Sequence, residues 1–108
     1  MLNPNLPEPD LLKTLLEPLL DDFVYWFDRS RVLLETEEIA FLGTEGQADL
    51  LGRVMQALSE VKTAKTLLKL TNNQVGVEMD VLMPWHKLLN ECWQVSMRNR
   101  IDKSQKRE

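Results

Sequence analysis

The residues best suited to chemistry in this chain crowd into one stretch, VLMPWHKLLNECW at residues 81–93, which holds the only histidine, His86, and the only cysteine, Cys92. A thiolate activated by an imidazole is a nucleophile for acyl or thiol transfer, and the same two side chains are metal ligands. Their spacing argues against both roles. On a helix turning about 100° per residue, groups six positions apart lie on different faces, whereas ligands sharing a face need separations of three or four. No second histidine or cysteine completes a metal site, and no glycine-rich phosphate loop is present. Ser30 and Ser96 project near the apolar centres of their segments, where a hydroxyl usually bonds back to a carbonyl one turn earlier. The carboxylates are spread over helix surfaces instead of converging on a cleft. The sequence therefore predicts no catalytic residue, no cofactor and no metal.

The elements carrying these residues are helical. A chain of 108 residues with 44% hydrophobic and 28% charged side chains has the size and composition of one globular domain. No apolar run reaches the roughly 18 residues of a membrane span, and the N-terminus lacks the layout of a signal peptide. A cytoplasmic protein is expected, and a lone cysteine fits a reducing compartment. Three segments show helical periodicity, at about 9–34, 44–71 and 77–103, with 1–7 and 104–108 as ragged ends. Pro9 suits a first helical turn, Thr44 and Gln47 have the spacing of a capping box, and Asn72-Asn73 with Gly76 mark a turn. Segments of similar length joined by short connections predict an all-α fold, an antiparallel up-down-up bundle of three long helices. Pro18 and Pro84 are expected to kink the first and third helices because the apolar phase continues across both; otherwise each would start a new helix.

Helical projection then sorts the side chains. On the third helix Val81, Leu82, Trp85, Leu88, Leu89, Cys92 and Trp93 share a face, with Cys92 near its centre as a small hydrophobe and His86 at its edge. The first helix carries an apolar arc wider than an ordinary core-facing stripe, from Leu11 and Leu12 to Leu33 and Leu34. Its excess, centred on Leu20, Val24 and Phe27, is read as a partner-binding or dimerisation face, with Tyr25 and Trp26 beside it and His86 as a further contact. The alternative is that a kink hides this excess. Asp10, Glu17, Asp21 and Asp28 form an acidic stripe, read as a solvated face. In the connection, Ile39, Phe41 and Leu42 are expected to fold over the core while the glutamates stay wet.

The second helix presents Leu51, Val54, Met55, Leu58 and Val61, yet Lys65 projects into the centre of that face with Lys62 and Lys69 beside it. A buried lysine is costly, so pairing with Asp10 or Glu17, or snorkelling out of the bundle end, is expected unless the three lysines bind an anionic partner. Charge is also graded along the chain: residues 1–60 carry twelve acidic and four basic side chains, whereas Arg98, Arg100 and Lys103 lie in a basic C-terminal stretch. Basic residues are favoured at a helix C-terminus, and an acidic body repels a phosphate backbone. Nucleic acid is thus a disfavoured partner, reachable only through the tail.

The segments PEPDLLKTLLEPLLDDFVYWFDRSRVLLE (7–35), QADLLGRVMQAL (47–58) and GVEMDVLMPWHKLLNECW (76–93) resemble a small cyanobacterial family catalogued as a domain of unknown function. The similarity covers about residues 7–100 and is most specific in DDFVYWF and MPWHKLLNECW. It implies a cyanobacterial, cytoplasmic protein and carries over no catalytic residues. Together these readings predict a non-catalytic protein–protein interaction module, either an adaptor or a homodimer. The competing expectation is a peripheral factor that meets an anionic surface, thylakoid lipid or nucleic acid, through the basic tail.

Overall fold

The computed structural model describes residues 9–70 and 79–106. It is all-helical, with α1 at Pro9–Thr36, α2 at Gly43–Leu70 and α3 at Met79–Lys106, and one turn of 3₁₀ helix at Ala40–Leu42. No strand occurs among the described residues. The expected turn at Asn72-Asn73 and Gly76, the expected start of the third helix at Val77 and the N-terminal ragged end lie outside the described residues. At its far end α3 continues past the expected limit of Lys103 to Lys106. Pro18 and Pro84 stand inside α1 and α3, which run through them unbroken, so neither starts a new helix.

The core rests on two seams with the same spacing. In α1 the buried residues are Leu16, Leu20, Phe23, Phe27 and Leu34, and in α2 they include Leu50, Val54, Ala57, Val61 and Leu68. In both, the steps alternate between four and three residues once Ser30 and Ala64 are counted, the period that keeps one stripe of a helix against a neighbour. This corrects the expected face of α2. Met55 is exposed and Leu51 only half-buried, while Leu50 and Ala57 are buried. The stripe is rotated by about one residue because small alanines permit close approach, although they add little to an apolar pattern. The same rotation takes Lys65 off the seam, where Ala64 packs instead.

On α3, Trp85, Leu89 and Cys92 are buried as expected, and Leu82 and Leu88 are partly buried. Val81 and Trp93 are not; both are exposed, and Val95 and Asn99 are buried in their place. Trp85 meets Phe23 edge-on at 5.8 Å, and Phe23 stacks on Phe27 at 5.8 Å, so one aromatic chain ties α3 to the α1 seam. Arg53 of α2 forms a two-pronged pair with Glu91 of α3, at 2.8 and 2.9 Å. Hydrogen bonding to Arg53 holds the Glu91 carboxyl below the usual carboxylate range. A lowered folded pKa places this contribution above the ordinary value of about 4.3, to be lost as the pH falls through the lowered one. Both side chains are nearly half exposed, so Glu91→Gln is expected to cost under about 1 kcal/mol. Urea unfolding near neutral pH and near pH ~3 should show the wild-type advantage shrinking on acidification.

The connection between α1 and α2 is built as a lid. Ile39 is buried, and Phe41 and Leu42 pack against the core. Gly43 stands at φ 72°, a conformation that L side chains rarely adopt, and lets the 3₁₀ turn pass directly into α2. Gln47 does not close a capping box with Thr44. Its Nε2 donates to the carbonyls of Leu34 (2.8 Å) and Glu37 (2.6 Å), and its Oε1 accepts from the Ile39 N–H (2.9 Å). The Leu34 carbonyl belongs to the last turn of α1, where helical N–H donors run out, so a side chain of α2 caps α1. Glu35 and Glu38 are exposed, but Glu37 is half-buried and ion-paired to Lys103 of α3. Arg98 lies 4.1 Å above the Phe41 ring.

Candidate interaction cleft

Between α1 and α3 the seam positions turn small and polar. Ser30 on α1, with Cys92, Ser96 and Asn99 on α3, continue seams that carry large apolar groups in the first half of each helix, and together they line a cleft of about 420 Å³. Serines at seam positions leave volume unfilled, which is the physical origin of the opening. The Ser30 hydroxyl bonds back to the Trp26 carbonyl at 2.8 Å. Cys92 is buried, and burial pushes its thiol pKa up, so the sulfur is a poor nucleophile.

The walls are aromatic. Trp26 of α1 and Trp93 of α3 meet edge to face, with ring centroids 5.8 Å apart and planes at 89°, yet they are 37% and 42% exposed. Tyr25 packs on Trp26 at 5.1 Å and is 52% exposed. Arg29 donates to the Tyr25 hydroxyl at 2.9 Å and lies over both rings. Arg100 and Lys103 complete the basic rim, with Glu37 as the acidic lining residue, already paired to Lys103.

The structure redistributes the partner-binding candidates. Leu20 and Phe27 are 0% exposed and belong to the core, and Val24 is half-buried against it. The centre expected for the surplus apolar face is therefore corrected. The surplus lies on the other flank, where Leu15, Leu19, Tyr25, Trp26 and Val32 are exposed. An apolar arc has two flanks, and only the position of the neighbouring helices decides which is covered. His86 is exposed and is not among the residues lining the cleft. Pattern alone does not mark Arg29 or Asn99, and it turns Trp93 inward, although Trp93 lies about 100° from the centre of the buried face and is exposed.

The anionic-partner candidates are divided between two ends of the fold. Lys62 and Lys69 are exposed, whereas Lys65 pairs with Asp21 at 2.5 Å, one turn along α1 from the expected Glu17. Asp28, in the same acidic stripe, pairs with Arg31 at 2.9 Å, so Asp21 and Asp28 are engaged instead of merely solvated. Because Asp21 is well exposed, removing the lysine strands no buried charge. Lys65→Met is expected to leave the thermal midpoint unchanged or raise it. A loss above about 1 kcal/mol would show that the ion pair carries weight. Among Arg98, Arg100 and Lys103, Arg98 is spent on Phe41 and Lys103 on Glu37, and Arg100 lines the cleft.

Among the described residues no group of three His, Cys, Asp or Glu side chains is placed to hold a metal ion, and no helix is long and apolar enough to cross a membrane. The fold and cleft define a three-helix, all-α protein with an exposed aromatic–basic surface where α1 meets α3. The chain belongs to DUF2605, a family of proteins of unknown function whose sequence profile matches residues 6–101. No curated protein and no solved structure matches it.

Proposed function

We propose that this chain is a non-catalytic interaction module whose contact surface is the α1–α3 cleft and the exposed aromatic flank of α1. The observation that carries this reading is the Trp26–Trp93 pair, two indoles held edge to face yet open to solvent beside Arg29 and Arg100. Tryptophan, tyrosine and arginine are the residue types that most often carry binding energy at protein interfaces. The resemblance noted above supports a cyanobacterial, cytoplasmic setting. The reading takes the helices as an antiparallel up-down-up bundle bent at Pro18 and Pro84. Asp21–Lys65 and Leu34–Gln47 support opposite senses for α1 and α2, and Phe23–Trp85 with Trp26–Trp93 a shared sense for α1 and α3. This path sets Phe27 level with Ala57, large against small.

Binding to an anionic surface through the tail is less well supported, because Arg98 and Lys103 already hold the α1–α2 connection against α3. The test is affinity capture from native extract, comparing wild type with Trp93→Ala/Arg100→Glu, the fold of each checked by circular dichroism. The wild type should retain a companion chain, a second copy included, in stoichiometric amount, and the variant should lose it. Equal retention by both would sink the reading.

A further inference from the structure

The exposed flank of α1 is ordered in a way that points to its occupant. Between Leu19 and Val32, six exposed residues, Leu19, Asp22, Tyr25, Trp26, Arg29 and Val32, fall within an arc of about 140° on the helix. Outward from the Tyr25–Trp26 step the row matches by type in both directions, aromatic with aromatic and aliphatic with aliphatic, and is opposite in charge. Three residues away stand Asp22 on one side and Arg29 on the other, and six residues away stand Leu19 and Val32. A surface that meets its own copy across a two-fold axis must be complementary to itself, with each residue facing its counterpart twice.

We infer that this face of α1 binds a second copy of the chain, the two α1 helices crossing in opposite directions about a two-fold axis at Tyr25–Trp26. That arrangement sets Asp22 of each copy beside Arg29 of the other and Leu19 beside Val32, while the four central aromatic rings pack together. Charge complementarity selects the orientation, since parallel helices in register would oppose like charges. Arg29 is already held over Tyr25 and Trp26 by its hydrogen bond and ring contacts. Trp93 braces the Trp26 indole from α3. The surface is thus organised before it meets its partner. This inference rests on the interaction reading above and names the partner.

Sedimentation velocity of the full chain from about 1 to about 100 µM tests it. The wild type should pass from monomer to dimer across this range, with weaker association as salt rises. Asp22→Arg and Arg29→Asp, both at exposed positions, should each raise the dissociation constant by at least about tenfold, and the double exchange should restore it to within about threefold. A monomer throughout the range would overturn the second-copy assignment. So would a dimer that both single reversals leave unchanged, because it would use another face. Neither result touches the capture experiment, which judges the interaction reading separately.

Discussion

Phe27→Ala is expected to lower the unfolding free energy by about 3–5 kcal/mol, a large share of the roughly 5–15 kcal/mol that holds a domain together. Phe27 is among the least accessible side chains of the fold and stacks on Phe23, which continues the aromatic chain to Trp85. Truncation removes the transfer free energy of the ring and leaves a cavity that neighbouring side chains fill only in part. Two positions away, Tyr25→Ala changes a half-exposed ring and is expected to cost no more than about 1 kcal/mol. Urea unfolding followed by circular dichroism, at concentrations where the chain is monomeric, separates the two. At roughly 4–8 °C per kcal/mol for a chain of about this size, Phe27→Ala should lose well over 10 °C in thermal midpoint. A cost below about 1 kcal/mol would mean that Phe27 is not in the core.

Gln47 should be the most sensitive polar position. Its side chain satisfies one donor and two acceptors at the α1–α2 connection, and Gln47→Ala is expected to cost about 2–4 kcal/mol by leaving them without partners. Gln47→Glu is the sharper experiment. A carboxylate can accept from the Ile39 N–H but cannot donate to the Leu34 and Glu37 carbonyls, whose oxygens would face its negative charge. The folded state should therefore raise the pKa of the introduced glutamate above its ordinary value of about 4.3. A raised folded pKa gives stability that is fully present below the ordinary value and lost as the pH rises through the raised one. The variant should approach wild-type stability in mild acid and fall away towards neutral pH. Equal loss at all pH values would show that only the amide's shape matters.

Much of the fold was legible because helical periodicity, the spacing of turn residues and the choice of small or large apolar groups are local properties of a sequence. The three helices, the separation of His86 from Cys92 and the back-bonding of Ser30 follow from turn geometry of about 100° per residue, and the folding of Ile39 over the core follows from its apolar side chain in a short connection. The candidate site was legible only in its residue types. Tyr25, Trp26, Arg100 and Lys103 were identified singly, but nothing local brings α1 and α3 together around them, and Trp93 projected inward from the apolar face of its own helix.

What the sequence determined by itself is the all-helical architecture and the existence of more apolar surface on α1 than a core-facing stripe needs. Which flank of that surface is covered was decided by tertiary structure. Ala57 and Ala64 let α2 pack onto the Leu20–Phe27 seam, and Ser30 with Ser96 leaves a cleft open between α1 and α3, at whose mouth Trp26 and Trp93 stay exposed. The same is true of Gln47 and Lys65. Periodicity places a side chain on a helix face, but the partner it meets depends on close packing between elements far apart in sequence.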